Sequence, residues 1–316
     1  MTFDELRVFV AVADTGSFRG AARMLGMAAS SVSDSVRNLE EHFKEELVTS
    51  YVKGIALTEC GTALLVHARF ILAEFDRAHH ALQAVRGEHP GRLSVAIAPW
   101  ITMTFLAAAA KRFLAELPEV TLDLYEGFVA SANPLIRNGT IELFIGRGEV
   151  PEVSQDLDFR PLLSTSYAIV VREGHPRAES RSLAELLDCE WLMPRHPYSE
   201  GQVKYGLFEN NKLPLPRRIH FMHSLTFVFA LLPHSDMVGL LPWPLVELFA
   251  KQGGLRAVPI REQLDEMVVG VVSRSGRPMS ALAECFLEFL MEEIKERISV
   301  GNGGAAPGLH SIELLF

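Results

Sequence analysis

Residues 17–33 read Ser17-Phe18-Arg19-Gly20-Ala21-Ala22-Arg23-Met24-Leu25-Gly26-Met27-Ala28-Ala29-Ser30-Ser31-Val32-Ser33. The Ser17 hydroxyl suits a helix N-cap, and Ala21, Ala22 and Leu25 follow on one face. Gly26-Met27 marks a tight turn. A further helix is expected from about Ala29 to Phe43, with Val32, Val36, Leu39 and Phe43 as its buried stripe. Upstream, Thr2 with Glu5 three residues on is a capping box. Leu6, Phe9, Val10 and Ala13 then follow at helical spacing, up to the break at Thr15-Gly16-Ser17. Three short helices with a turn between the second and third are the arrangement of a helix-turn-helix. Residues 47–58 alternate weakly around Lys53-Gly54, as a small β-hairpin wing would.

Further along, Leu64, Ala68, Ile71, Phe75, Ala78, Leu82 and Val85 fall at alternating spacings of four and three. That is a heptad seam, which predicts a long helix paired with a copy of itself. Glu88-His89-Pro90-Gly91 reads as a linker. Strands and helices then alternate. Strands are expected at Arg92 to Ala98, Val120 to Glu126, Ile141 to Gly146, Tyr167 to Val171, Trp191 to Met193, Val238 to Leu241 and Val268 to Ser273. Helices are expected at Ile101 to Leu117, Asn133 to Asn138, from Leu183, at Ser224 to Leu232 and at Met279 to Ile298. The alternation implies parallel sheets with ligands at strand C-terminal ends. Two such sets imply two lobes with a cleft between them. The stretch from Gly301 to Pro307 is rich in Gly, Ala and Pro, whereas Leu309 to Phe316 is apolar enough to dock.

A chain of 316 residues, 48% hydrophobic and 22% charged, suits an ordinary soluble protein of two domains. Its acidic start is unlike a secretory signal, and no apolar stretch reaches the roughly 18 residues that span a bilayer. The expectation is therefore a cytoplasmic protein without a membrane partner. The three cysteines, Cys60, Cys189 and Cys285, are far apart and read as packing residues rather than ligands or disulfides. The net charge of −9 speaks against nucleic acid. Residues 1–60 do not reverse it, with six cations against nine acids. A DNA-binding reading has to rest on where the cations sit.

The run from Leu6 to Leu25, with Ser33, Val36, Arg37, Leu39-Glu40-Glu41 and Gly54-Ile55-Ala56-Leu57-Thr58-Glu59-Cys60-Gly61, resembles the head of LysR-type transcriptional regulators. The likeness continues in outline to about residue 298. It implies an α+β multidomain fold: a winged helix-turn-helix over residues 1–60, a linker and dimerisation helix over 61–88, and an effector-binding domain over 89–300. That last domain would be two α/β lobes, like those of periplasmic binding proteins, followed by a tail at 301–316. The family likeness implies partners too: double-stranded promoter DNA, a small-molecule effector, and the chain itself as a homodimer or homotetramer.

A recognition helix sets its N-terminal residues against base edges, which here means Ser30, Ser31 and Ser33. Arg37 lies one turn on and could reach backbone phosphate. Arg19 and Arg23 flank the second helix, and Lys53 sits at the wing tip. Ala29, Asp34 and Ser50 depart from the family pattern, each removing a polar reader or a cation. Weak non-specific binding with a shallow salt dependence is the consequence expected. In the first lobe, the cleft is expected to use Pro99, Trp100, Ile101 and Thr102, where a helix N-terminus offers amides to an anion, with Phe128 and Arg147 opposite. In the second lobe, Arg195, His196 and Ser224 to Thr226 are candidates. Rings beside cations suit a small carboxylate or other anion. His220 and His223 lack a third ligand, so no metal is expected. No Gly-x-Ser-x-Gly elbow or phosphate loop is present, so neither catalytic residues nor a cofactor are expected.

Overall fold

The computed structural model describes residues 1–51, 54–85, 91–148, 156–194, 202–252, 254–301 and 312–315. The chain packs as two compact units. One holds Met1–Arg92 with Pro134–Ile141, and the other holds Leu93–Asn133 with Glu142–Phe316.

The first unit opens with helices α1 (Phe3–Thr15), α2 (Phe18–Leu25) and α3 (Ala29–Phe43). Their ends follow from local chemistry. The Glu5 N–H donates to the Thr2 hydroxyl at 3.3 Å, and the Thr2 N–H donates to the Glu5 carboxylate at 2.6 Å. The Ser17 hydroxyl accepts from the Gly20 N–H at 3.3 Å. Gly26 ends α2 at φ 65°, a left-handed conformation that glycine adopts without a Cβ clash. Strands β1 (Val48–Tyr51) and β2 (Gly54–Leu57) pair antiparallel as the wing, and α4 (Glu59–Val85) follows.

Val32, Val36 and Leu39 are the buried stripe of α3, whereas Phe43 is exposed in the last turn. In α1 the buried arc is wider than one stripe. Val8, Ala11 and Val12 join Leu6 and Phe9, and Val10 and Ala13 are only half-buried. The cause is that α1 packs on α2 and α3 as well as on α4. Two clusters result. Val8, Val12, Ala21, Val32 and Val36 form one, and Leu6, Phe9, Leu39, Leu47 and Ala68 form the other. Ala68 is thus the point where the long helix is fastened to the head. Arg69 also pairs with Asp14 of α1, and Phe75 meets the Phe3 ring at 4.4 Å.

The second unit begins with β3 (Arg92–Ile97). The predicted helix at 101–117 starts earlier, as α5 (Pro99–Ile101), winds through a π turn at Thr102–Leu106, and continues as α6 (Ala107–Glu116). Then come β4 (Thr121–Glu126), α7 (Val129–Arg137), β5 (Leu143–Arg147), β6 (Leu157–Arg172) and β7 (Glu190–Pro194). A 3₁₀ turn at Leu183–Leu186 replaces the helix expected there. The remainder is α8 (Gln202–Glu209), β8 (Arg218–Met222), α9 (Leu225–Leu231), β9 (Val238–Pro242), α10 (Trp243–Gln252), β10 (Leu255–Ala257), β11 (Glu266–Arg274), α11 (Ala281–Gly301) and β12 (Ile312–Leu314).

The strands form one connected ladder in the order β4-β3-β5-β11-β6-β9-β7-β8, with β10 and β12 also on β6. The sheet is mixed, which corrects the expectation of parallel sheets. β3 with β5, and β7 with β8 and β9, are parallel; β11 and β6 run antiparallel to their neighbours. β6 pairs with β11 along Leu157–Ser166 and with β9 along Tyr167–Val170. One strand therefore serves both halves of the ladder. Pro161 sits where the β11 register shifts opposite Gly270, and a bulge is where a strand tolerates proline.

Gly61 opens the first turns of α4 directly under Leu47. A Cβ there would lie 2.0 Å from the Leu47 carbonyl oxygen. Backbone cannot retreat from such a contact without shifting the hairpin, so Gly61→Ala should destabilise the chain by about 1–3 kcal/mol, the usual cost of overpacking. A shifted urea midpoint checks this, and an unchanged midpoint would contradict the packing described.

Candidate functional site

Most candidate readers of the head are exposed. Ser30, Ser31 and Ser33 are exposed on the first turns of α3, and Arg19 and Arg23 are exposed on α2. Ala28 occupies the N-cap of α3 without a side-chain bond to the helix. Lys53 lies outside the described residues. Arg37 is exposed, but its guanidinium is engaged on its own helix: Nη2 lies 2.9 Å from the Asp34 carboxylate and Nε lies 3.8 Å from Glu41. Exposed pairs of this kind are worth only about 0.3–0.5 kcal/mol. A phosphate could take Arg37 away, but two carboxylates would remain beside it. Acidic side chains thus lie beside Arg37 on α3 itself.

In the second unit, neighbouring strands bring three candidate segments to one end of the sheet. Ile97 of β3 is level with Ile145 of β5. The Gly127 N–H donates to the Ile97 carbonyl at 3.2 Å, and the Ala98 N–H donates to the Ile145 carbonyl at 2.8 Å. Pro99–Thr102, Phe128 and Arg147 therefore follow adjacent strand ends. Their exposure differs. Pro99, Trp100 and Ile101 are buried, and the Trp100 ring packs edge-on against Phe105 at 6.3 Å. Thr102 is half-buried. Pro99 has no N–H, and the amides of Ile101 and Thr102 both go to the Ala98 carbonyl. This helix start has fewer donors for an anion than its position suggests. Phe128 is half-buried, with its N–H donated to the Ser131 hydroxyl at 3.1 Å.

Ser224 caps α9 by accepting from the Thr226 N–H at 3.2 Å, and Thr226 is exposed. Met222, at the end of β8, is level with Pro194 of β7. Arg195 and His196 follow Pro194 but lie outside the described residues. His220 faces Glu190, with 3.4 Å between ring nitrogen and carboxylate.

A side-chain contact also links the two halves of the ladder. Arg147, at the end of β5, donates from Nη1 to the Tyr167 hydroxyl at 3.4 Å. Tyr167 is the first residue of β6 to pair with β9. Burial pushes its phenol above the ordinary value of 10.0; the Arg147 charge opposes that shift and Asp265 adds to it. Two residues back, Thr165 is buried with an Oγ1 that meets no partner among the described residues. Residues two apart on a strand share a face, so this hydroxyl and the Arg147–Tyr167 pair lie on one side of β6. Sequence reading found Arg147 but neither Tyr167 nor Thr165. Both lie in a strand rich in apolar residues, and nothing local separates a core tyrosine from one beside an arginine 20 residues away.

Residues 3–62 match the family described as bacterial regulatory helix-turn-helix protein, lysR family. Residues 86–295 match the LysR substrate binding domain. The chain belongs to the LysR family. LysR proteins are DNA-binding transcriptional regulators with an effector-binding domain, and this chain carries both parts. It is 23% identical over 287 residues to the HTH-type transcriptional regulator TdcA of Escherichia coli, covering 91% of each chain. It is 27% identical over 298 residues to the SDS degradation transcriptional activation protein of a Pseudomonas species, covering 92% of this chain and 95% of that one. Among solved LysR structures, ArgP from Mycobacterium tuberculosis superposes with a TM-score of 0.70 at 18% identity, over 92% of this chain and 96% of that one. Full-length CbnR complexed with its target DNA gives 0.67 at 20% identity, over 93% and 100%. At these identities the superpositions speak for the fold. Among the described residues, no helix is long and apolar enough to cross a membrane.

Two outcomes follow from these geometries. Asp34→Ala leaves Arg37 with one fewer acid and frees it for a phosphate. One additional phosphate neutralised there should steepen the plot of log binding constant against log salt by about 0.9; fluorescence anisotropy at several salt concentrations measures it. Tyr167 favours the fold while its phenol is neutral. Because its folded pKa is raised, that stabilisation is complete below about pH 10 and is lost as pH rises through the folded value. The urea midpoint should therefore fall more steeply above about pH 10 in the wild type than in Tyr167→Phe.

Proposed function

We propose that this LysR regulator binds promoter DNA through α2, α3 and the wing, and that a small anionic metabolite beside Arg147 and Tyr167 modulates that binding. The observation that carries the effector reading is the Arg147–Tyr167 contact. A cationic side chain and a buried phenol meet where the two halves of the ladder join. Arg147 offers several N–H donors in a planar fork that fits a carboxylate. Thr165 adds a buried hydroxyl on the same face of β6. A ligand touching both halves at this point biases their relative position, which is what an effector needs in order to act on a second site. Phe128 and Thr102 complete the first-lobe wall, and Ser224 with Thr226 the second. Arg195 and His196 belong to this reading on sequence grounds.

In this reading residues 1–60 are the DNA-binding head, 61–88 the linker helix, 89–300 the effector domain and 301–316 a tail. Ile71, Phe75 and Leu82 on α4 are 40%, 55% and 59% exposed. Apolar side chains in heptad register left open to water support pairing with a second copy of the chain. The protein is read as a regulator acting on DNA in the cytoplasm and not as an enzyme, in keeping with relatives that carry regulator names.

Isothermal titration of the full chain against a panel of aliphatic and aromatic acids tests the effector reading. One acid should bind, and Arg147→Ala should weaken it at least tenfold while leaving affinity for DNA from upstream of the chain's own gene unchanged. No heat with any acid, or equal affinity in the variant, would overturn the assignment to Arg147.

A further inference from the structure

The match to the LysR substrate binding domain ends at residue 295, and α11 ends at Gly301. The chain then returns as β12 to the middle of β6. Ile312 pairs antiparallel with Thr165, Glu313 with Ser164 and Leu314 with Leu163. The Leu315 N–H donates to the Leu162 carbonyl at 3.0 Å. Leu163, Ser164 and Thr165 are paired on their other edge with Val269, Val268 and Met267 of β11. All three are buried, and β12 pairs with peptide groups on the edge of β6 that β11 leaves open.

We propose that the β6 edge over Leu162–Thr165 is a strand-binding site, that its occupant is the chain's own segment Ile312–Leu315, and that docking of this segment stiffens the junction between the two halves of the effector domain. The last clause rests on the effector reading above, whereas the first two do not.

The side chains fit such a site. Ile312 is buried and Leu314 half-buried, whereas Glu313 and Leu315 point to solvent. That alternation lets main-chain bonds supply attachment and alternate side chains supply selectivity, as in strand addition generally. Placement gives the contact its consequence. The residues paired with β12 lie immediately before Tyr167, where β6 passes from β11 to β9. Antiparallel partners directly opposite one another share a face. Ile312 therefore stands beside Thr165, on the side of β6 that carries the Arg147–Tyr167 contact. Any rotation of one half against the other bends β6 near this point, and a third strand on the bend resists it.

The attachment is short enough to be reversible. Three residue pairs hold it, on a ten-residue connection that reads Asn-Gly-Gly-Ala-Ala-Pro-Gly-Leu-His-Ser. Joining a segment to its site within one chain raises its effective concentration above that of a free peptide. A segment that binds weakly as a free peptide would still be docked in the intact chain, yet it could leave without the rest of the domain unfolding.

Hydrogen exchange of the full-length chain tests the site directly. Ile312→Asp places a charge at the one fully buried position of β12. It should speed amide exchange over Leu163–Thr165 at least tenfold while leaving α1–α3 unchanged. A labelled peptide of residues 309–316 should bind a chain ending at Gly301, shown folded by its circular dichroism, and should bind at least tenfold more weakly when it carries the same substitution. Unchanged exchange at Leu163–Thr165 in Ile312→Asp would overturn the proposal, because β12 would then not be covering that edge. Failure of the effector reading alone would abolish acid binding and leave the exchange difference in place.

Discussion

Strand β6 pairs with strands of both halves of the ladder along its sixteen residues. Nine of its first ten residues pair with β11, Leu162 falling at the register shift, and the next four pair with β9. Backbone hydrogen bonding makes this more than a shared boundary. Each buried peptide group in β6 must be paired, so neither half of the ladder can separate from the strand without exposing open bonds. Tyr167 sits at that transition and meets Arg147 from the other half. The proposed effector site is placed at this point.

The head obeys a different constraint. Its three helices are short, and each depends on its neighbours for burial. α1 supplies both clusters, and Ala68 of α4 closes the second. The first part of the long helix is therefore a structural part of the DNA-binding unit. Its later turns leave Ile71, Phe75 and Leu82 exposed. Serine hydroxyls lead α3, and its Arg37 is flanked by two carboxylates. If α3 reads DNA as proposed, such a surface relies more on hydrogen bonds than on bulk charge.

Local signals made the head and much of the sheet legible. The Thr2–Glu5 box, the Ser17 cap, the Gly26 turn and the Val32-Val36-Leu39 stripe act within a few residues of each other, and each appears in the fold where its chemistry placed it. The buried strands of both halves were equally plain as apolar runs. Several features were not legible. The part of β6 that pairs with β11 is interrupted by Pro161 and by the hydroxyl residues Ser164, Thr165 and Ser166, and a register shift opposite Gly270 accommodates the proline. The π turn at Thr102–Leu106 leaves the apolar pattern of the helix intact. Phe43 fits the stripe of α3 but falls in its last turn, past the reach of the core.

The sequence by itself determined the three helices of the head and their core, the long helix after the wing and the family, because these rest on short-range periodicity, capping and a motif of defined spacing. It also located Arg147 as a cation at a strand end. Only the tertiary structure decided that Trp100 and Ile101 are buried, that Ser224 is a cap, that Arg37 is engaged by Asp34 and Glu41, and that the C-terminal residues become a strand. These outcomes depend on which residues meet across long stretches of chain, or on which neighbour a charge chooses. Strand direction belongs with them. An apolar run shows that a strand is buried but not which partner lies beside it, and the antiparallel pairing of β6 and β11, on which the proposed effector site depends, is set by the path of the chain between them.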